Sequence, residues 1–509
     1  MPIVKDFKFW LIAGLGLIYF SLIYYSKWVS SDGLSVTYQS YNVLNGLGLV
    51  WNLGERTYVS TSPLFTIVSI PLTYIFDVLF NVFHISDNKI FNIPIIINMI
   101  FSITSITMIL RYLYLKTTTI KPEKIFILLF SFGLLLASKF YIDFSTSGLE
   151  NSLSYSVIAW FTILSMNEEN PKSVFLLPIA VALVFLTRYD FFLIVCPTIL
   201  YYFYKHKFTK GFMAMCIIIL SWFVFSFFYF GSIFPNSFYL KTNNFNFYQS
   251  LFYYKENLFE SKPMFLLIAL GLYTSYFTNK KIFLGIIFYL AYIFLVRDYM
   301  FGRLFTILVP ISIISIIEFA STKEILVYKK NFIKVSALSL ILFAIIFFFP
   351  PVVKLYADKY AKGSFLLTNE REYYTRKFSN INFIYNKPVK EITSISNSVQ
   401  MLHTPLLPES QNTYFIDPVG LASPFITYYI KNYGSKGERP GHYFVNIDHL
   451  KQIGLFESVL LNKNILQDKD TAELYDDVNI VSKGSIFSID RLKTIIKLHT
   501  HNYKSTKNE

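Results

Sequence analysis

The chain has 509 residues, of which 54% are hydrophobic, 19% aromatic and only 15% charged. Soluble domains usually carry roughly 25% charged residues, so this composition excludes an ordinary soluble protein and predicts a membrane protein. The formal net charge of +14 could suggest nucleic-acid binding. However, the lysines gather in short loops such as "KTTTIKPEK", "KHKFTK", "NKK" and "STKEILVYKK". This pattern is typical of cytoplasmic loops of membrane proteins and argues against a nucleic-acid partner.

Apolar runs recur from Phe9 to Pro350, and each is close to the roughly 20 residues that a helix needs to cross a bilayer. The first run follows Lys5 and Lys8 but lacks a small-x-small cleavage site, so it is interpreted as a retained anchor. With the lysine loops inside, about eleven crossings are expected, with the N-terminus inside and the C-terminus outside. The predicted spans are 9–27, 90–115, 125–141, 152–167, a short hairpin within 174–204 with "RYD" at its tip, 212–230, 263–278, 282–296, 304–319 and 332–350.

The first external loop is predicted over residues 29–89. Because an even number of crossings must separate two cytoplasmic loops, the apolar stretch 63–83 is predicted to be an interfacial helix rather than a span. Pro63, Pro71 and Asp77 interrupt it, and a helix in the interface tolerates such residues better than a span does.

The chain divides at about residue 350. Residues 1–350 form the predicted transmembrane domain, and Cys196 and Cys216 both lie in its apolar runs, which excludes a disulfide framework or zinc site. Residues 351–509 mix short apolar alternations such as "HYFVNIDHL" with turn-rich stretches such as "GSKGERPGH". This pattern predicts a small extracytoplasmic α/β domain.

Ionisable residues gather on the predicted outer face. The acids there are Asp32, Glu55, Asp77, Asp87, Asp143, Glu150, Asp190, Glu256, Glu260 and Asp298, and the bases are Arg188, Lys241, Arg297 and Arg303. Charged groups at the edge of the hydrocarbon are functional candidates, although structural ion pairs between helix ends are the simpler alternative. A carboxylate there could take the proton of an attacking hydroxyl. Cationic side chains could hold a departing phosphate, which together suggests sugar transfer from a lipid phosphate.

Several motifs, in order, resemble one known family. "SDGLSVTYQSYNVLNGLGLVWNLGERTYVSTSPLF" is similar to the first external loop of the polytopic GT-C glycosyltransferases, in the branch of the cell-wall arabinofuranosyltransferases. "STSGLENSL", "LTRYD", "GSIFPNSFYLK", "RDYMFGRLF", "DPVGLASPFI" and "RPGH" resemble later motifs of that branch, between residues 31 and about 445. The chain has Ser31 where the family usually has a second aspartate, and Gln39 where it has an arginine.

The resemblance implies inverting transfer of a sugar from a polyprenyl-phosphate donor to a cell-envelope glycan or glycolipid, on the outer face of a bacterial inner membrane. Asp32 would be the general base. Donor-phosphate contacts are expected from Arg188, Lys241, Arg303 and Arg297, and substrate, acceptor or metal contacts from Glu150, Asp190, Asn236, Asp298, Glu55, Tyr38 and His442. Two adjacent carboxylates hold a divalent cation better than one, so a metal requirement stays open.

Simpler roles compete for the individual residues. Asp32 could only cap the helix that follows it, because Asp is a favoured N-cap residue. Glu150 could be a helix-start charge, Glu55 could form a structural ion pair, and Lys241 could extend to the interface. His442 could be an ordinary packing histidine.

Other functions fit the sequence less well. Charges at span ends rather than mid-span argue against a transporter. An O-antigen ligase or polymerase and a non-catalytic scaffold of the same fold are the remaining alternatives.

Overall fold

The fold is that of a computed structural model. It describes residues 7–85, 89–116, 122–240, 246–298, 300–322, 359–360, 366–367, 371, 399–401, 414–417, 420–433, 445, 447–501 and 503. Up to residue 322 the described chain forms helices α1 (Phe7–Tyr25), α2 (Ser31–Leu44), α3 (Pro63–Val82), α4 (Lys89–Lys116), α5 (Pro122–Leu136), α6 (Lys139–Phe144), α7 (Asn151–Met166), α8 (Pro171–Thr187), α9 (Phe192–His206), α10 (Lys210–Phe230), α11 (Asn236–Leu240), α12 (Phe247–Glu260), α13 (Lys262–Thr278), α14 (Lys280–Val296) and α15 (Leu308–Thr322). Short 3₁₀ turns lie at Tyr189–Phe191 and Phe305–Ile307.

Four helical segments of the described chain are long and apolar enough to cross a membrane: Pro63–Val82, Lys89–Lys116, Lys210–Phe230 and Phe305–Thr322. Their length and composition support an α-helical membrane protein. The predicted eleven crossings are not supported, because other apolar helices such as α5 and α8 have only 15 and 17 residues. The predicted span 332–350 lies outside the described residues.

The stretch predicted to lie in the interface, 63–83, is one of those four segments. Pro71 sits inside α3 without ending it. Asp77 forms a 2.8 Å ion pair with Lys89 and accepts a 2.9 Å hydrogen bond from the Tyr41 hydroxyl, so its charge is compensated within the protein. Pro71 and Asp77, two of the three residues that favoured an interfacial helix, are therefore compatible with a span, and the surface assignment stays a prediction.

The centre of the helical core is the segment Phe305–Thr322, which contains α15 and of which 83% of the residues are buried. It packs along α13, where a Cβ atom on Gly271 would lie 2.2 Å from the Ser312 hydroxyl oxygen. Similarly, α9 packs on α14, where a Cβ atom on Gly285 would lie 2.0 Å from the carbonyl oxygen of Ile194. Small residues let these helix backbones approach closely, which is how apolar helices associate in membranes.

The "RYD" sequence lies where it was predicted, at the tip of the α8–α9 hairpin. Helix α8 ends at Thr187, the 3₁₀ turn Tyr189–Phe191 follows, and α9 starts at Phe192. Arg188 has an extended backbone with φ −160° and ψ 134°, which ends α8. The hairpin therefore presents Arg188 and Asp190 at one end of the bundle, next to the start of α7 and the segment before α15.

Beyond residue 358 the described chain includes helices α16 (Pro424–Tyr433), α17 (Ile447–Gln452), α18 (Leu455–Leu460), α19 (Lys469–Lys483) and α20 (Ile489–Thr500). Strands β1 (Lys359–Tyr360) and β2 (Leu366–Leu367) pair antiparallel, and β3 (Val399–Met401) and β4 (Tyr414–Ile416) pair in parallel. These are two-stranded pairs of two or three residues, so the described residues do not support the predicted α/β domain. The end of "HYFVNIDHL", an apolar alternation that suggested a strand, lies in α17.

Arg491 joins the C-terminal helices to the membrane domain. It is fully buried, and its Nη1 and Nη2 donate to the carbonyls of Phe228 and Tyr229 at 2.7 and 3.0 Å. Its Nε donates to the carbonyl of Val481 at 2.8 Å. These carbonyls lie in the last turns of α10 and α19, where the helix dipole is negative and a cation is favoured. One buried guanidinium thus binds two helix ends together.

Replacing Arg491 by methionine is expected to lower the free energy of unfolding by about 2–4 kcal/mol, because buried carbonyls lose charged donors. Thermal or denaturant unfolding of the purified protein in detergent measures it. Lys493→Met is the matched control on the same helix, since Lys493 is exposed, and it should change stability by less than about 0.5 kcal/mol. Equal losses for the two variants would contradict this role.

Candidate active site

The loop between α6 and α7, residues 145–150, forms one wall of the site, and the start of α2 docks on it. A Cβ atom on Gly33 would lie 2.8 Å from the backbone of Gly148, so both positions require glycine for this contact. Gly148 also has a φ of +77°, which glycine adopts without strain. The contact brings the first turn of α2, with Asp32, beside the end of the loop.

Asp32 is exposed, and its carboxylate makes no hydrogen bond or ion pair with any residue that the structure describes. The alternative that Asp32 only caps α2 is wrong, because Ser30 is the cap. The Ser30 hydroxyl oxygen accepts a 3.0 Å hydrogen bond from the Gly33 amide, and the Ser30 amide donates to the carbonyl of Ser147 at 2.8 Å. The carboxylate of Asp32 is therefore available for another role.

Glu150 links two arginines that lie far apart in the sequence. Its Oε1 accepts hydrogen bonds from Arg188 Nη1 and Arg303 Nη2, both at 2.9 Å, and its Oε2 accepts from Arg303 Nη2 at 3.2 Å. Arg188 also forms a bidentate pair with Asp190, through Nε and Nη2 at 3.0 Å each. We call these four residues the Glu150 network. Glu150 lies at the start of α7, but its contacts with two arginines give it a role beyond that of a helix-start charge.

The charges of the network hold one another ionised in a buried setting. Burial by itself would raise the pKa of Glu150, but Arg303 and then Arg188 outweigh it and lower the pKa to about 2. Burial likewise opposes the charge of Arg303, yet Glu150, with smaller contributions from Asp298 and Asp32, raises its pKa. Asp32 is thus close enough to Arg303 for their charges to interact. Both signs meet at this point, as buried ionised groups require.

Arg303 retains donor capacity that the network does not use. Among the described residues, its Nη1 donates only to the sulfur of Met300, at 3.2 Å, and its buried Nε has no acceptor. Sulfur is a weak acceptor, and a buried donor without a partner costs free energy. The backbone here is fixed, because the Arg303 carbonyl accepts hydrogen bonds from the Asn151 amide and the Thr306 hydroxyl at 3.1 and 2.8 Å. This edge of the guanidinium is suited to an added anion.

A hydrogen-bonded aromatic triad holds the hairpin tip. The hydroxyls of Tyr58 and Tyr189 lie 2.7 Å apart, and Trp222 Nε1 donates to both, at 2.9 and 3.0 Å. Tyr189 stands between Arg188 and Asp190 in the sequence, so fixing its ring fixes the turn that carries them. Sequence reasoning missed this triad, because its members come from the first loop, the hairpin and α10.

Three of the predicted contact residues have structural partners outside the network. Glu55 is buried and accepts hydrogen bonds from Tyr414 and Asn52 at 2.8 and 3.2 Å, and burial raises its pKa. Tyr38 packs edge-on against Trp51. The side-chain amide of Asn236 donates to the carbonyl of Leu421 at 3.0 Å. Tyr38 thus contacts another residue of the first loop, whereas Glu55 and Asn236 contact residues of the C-terminal part of the chain. The described partners of all three residues are structural.

The remaining predicted residues fall into two groups. Arg297 donates a hydrogen bond to the carbonyl of Asn246 at 2.9 Å. The negative charge of Asp298 helps to raise the pKa of Arg303. Lys241 and His442 lie outside the described residues, so their predicted contacts stay predictions.

Asp143 and Arg371 add a further ion pair near the loop. The Arg371 Nη1 lies 3.0 Å from the Asp143 carboxylate. Asp143 was a weak candidate in the sequence, and Arg371 carried no signal at all, because nothing local marks a residue in a distant segment as a partner.

The described residues contain no group of three or more His, Cys, Asp or Glu side chains arranged to hold a metal ion. The carboxylates of Glu150 and Asp190 already accept hydrogen bonds from arginines. These two carboxylates are therefore already paired with cations and are not arranged to hold a divalent cation. In comparisons with known proteins, no family profile matches the chain and no curated protein is similar to it.

Proposed function

We propose that this chain is an integral membrane glycosyltransferase of the GT-C type. It transfers a sugar, with inversion, from a polyprenyl-phosphate donor to a cell-envelope glycan or glycolipid on the outer face of a bacterial inner membrane. In this proposal the helices make about eleven crossings, and residues 351–509 lie outside. The observation that carries it is the buried Glu150 network beside the unpaired carboxylate of Asp32, assembled from separate segments of the chain.

The proposed reaction places each charge where it is needed. The acceptor hydroxyl oxygen attacks the anomeric carbon of the sugar, and Asp32 takes the hydroxyl proton as general base. The bond between the anomeric carbon and the phosphate oxygen breaks, and the electron pair leaves with the polyprenyl phosphate. Arg303 stabilises the negative charge that develops on that phosphate.

We assign the phosphate to Arg303 rather than Arg188. Three nitrogens of Arg188 already donate to Glu150 and Asp190, so it has little capacity left for a ligand. Arg303 has a buried Nε without an acceptor among the described residues. In this assignment Arg188 holds Glu150 in place, and Glu150 in turn orients Arg303.

Arg303→Gln is therefore expected to raise the Kd for farnesyl phosphate, a short soluble isoprenoid phosphate, by about 10–100-fold, because a hydrogen bond to a charged group contributes about 1.5–3 kcal/mol. Isothermal titration calorimetry in detergent micelles measures it. Arg111→Gln is the control, since Arg111 is an exposed arginine on α4, and its Kd should stay within about twofold. Similar affinities for both variants and the unaltered protein would contradict the assignment.

The test of the function itself is made in cells. Mass spectrometry of surface glycans from cells with and without the protein should show one sugar missing from one glycan when the chain is absent. An unchanged glycan profile would favour the non-catalytic scaffold. Accumulation of a complete, untransferred lipid-linked glycan would favour the ligase.

A further inference from the structure

Arg371 reaches the candidate site from a segment far along the chain. Its Nη1 donates to Asp143 Oδ1 at 3.0 Å, and the side chains are only 13% and 5% exposed. The two residues are 228 positions apart in the sequence. A buried ion pair across such a separation holds Arg371 beside Asp143, because breaking it leaves a buried charge without its partner.

Asp143 is itself held in place beside the loop 145–150. Its backbone carbonyl accepts a 2.7 Å hydrogen bond from Trp28 Nε1, and Trp28 packs edge-on against Phe144. The carbonyl of Ser145, two residues on, accepts a 2.8 Å hydrogen bond from the Ser102 hydroxyl. Displacing Asp143 would therefore disturb the loop that carries Glu150 and supports Asp32.

The charge of Asp143 depends on its cationic neighbours. Burial raises its pKa above the ordinary value, while Arg371 first, and then Lys139 on the same helix, act in the opposite sense. Tyr19 of α1 faces the same loop through a 2.9 Å hydrogen bond with Ser145, but a phenol stays neutral at ordinary pH. Arg371 is thus the main group that favours the ionised carboxylate.

We propose that Arg371 is a positioning residue of the transferase site, so that the C-terminal segment supplies the counter-ion of Asp143 and is part of the site rather than a separate binding module. This inference rests on the proposed function. If the inference is correct, the net charge around the donor phosphate depends on both Arg371 and Asp143. Removing Arg371 leaves an acid that repels an anionic ligand, and removing Asp143 leaves a cation that attracts one.

The experiment measures farnesyl phosphate affinity for Arg371→Gln, Asp143→Asn and the double variant. At pH 8, Arg371→Gln should raise the Kd about tenfold and Asp143→Asn should lower it about tenfold, because each substitution changes the net charge beside the ligand by one unit at an effective dielectric of about 20. The double variant should return to within about threefold of the unaltered protein. The loss of affinity for farnesyl phosphate in Arg371→Gln should disappear at lower pH, because Asp143 is then protonated and no longer repels the ligand.

The outcomes separate the inference from the proposed function. A purely structural role predicts weaker binding for both single variants, with no difference in pH profile, and that result would overturn the inference. If the unaltered protein does not bind farnesyl phosphate, the donor assignment fails, and thermal unfolding then decides about Arg371. If the Tm of the double variant is no lower than that of one single variant, the ion pair is supported. If the decreases in Tm of the two single variants add up in the double variant, the inference is overturned.

Discussion

Glu150→Gln is expected to lower the free energy of unfolding by about 3–5 kcal/mol, the range observed when one partner of a buried ion pair is removed. Glu150 is only 4% exposed and, among the residues that the structure describes, is the one carboxylate that contacts both Arg188 and Arg303. Glutamine keeps the shape but has no charge, and its NH₂ group would face guanidinium donors. Arg303 would then lose its nearest carboxylate in a buried position. Thermal unfolding of the purified protein in detergent measures the loss.

Glu168→Gln is the matched control for this substitution. Glu168 also pairs with a cation, Lys281, at 2.5 Å, but the two side chains are 26% and 18% exposed. Partly exposed ion pairs contribute little, so this variant should lose no more than about 1 kcal/mol. If the two variants lost equal stability, the Glu150 network would not be the stabilising centre that its burial suggests.

Glu150→Gln should also change how the free energy of unfolding depends on pH. The folded pKa of Glu150 is about 2, below the ordinary value of 4.5. A depressed acid pKa contributes stability above the unfolded value, and this contribution is lost as pH falls from about 4.5 towards 2. Asp143 and Glu55, whose pKa values burial raises, act in the opposite sense. The difference between the unaltered protein and Glu150→Gln isolates the Glu150 contribution, and that difference should shrink over this interval.

The sequence predicted the helices well where the signal was local. Apolar runs and turn residues place α7, α10, α13 and α14 within about two residues of their observed bounds, because hydrophobic length is a local property of the chain. The number of membrane crossings was not predictable in the same way. A proline or a charge inside an apolar run can be accommodated by packing, as Pro71 and Asp77 are in α3.

The sequence predicted which residues form the candidate site better than it predicted the contacts between them. Arg188 and Glu150 stood out because charges are rare and costly in such an apolar chain. Their partnership depends on how α7 and the α8–α9 hairpin pack, which no local pattern contains. The same reason hid Arg371, whose partner Asp143 lies 228 residues away. Glu55 shows the converse, since its charge drew attention but its described partners are structural.

On the proposed function, Asp32→Asn should abolish sugar transfer while leaving the fold intact. General-base catalysis typically contributes about 10²–10⁴-fold, and asparagine cannot accept the hydroxyl proton. Stability should change by less than about 0.5 kcal/mol, because Asp32 is exposed and Ser30 provides the helix cap. Complementation of a deletion strain, read out by mass spectrometry of the surface glycans, measures the loss.

Asp470→Asn is the matched control, because Asp470 also lies in the first turn of a helix, α19, preceded by its own cap at Asp468. It should restore the glycan fully. Asp32→Glu keeps the carboxylate but moves it by one methylene, so partial restoration is expected if proton transfer is the role. If Asp32→Asn restored the glycan as well as Asp470→Asn does, Asp32 would not be the base. The buried arginines and Glu150 would then have to be explained as a structural ion-pair network at the helix ends.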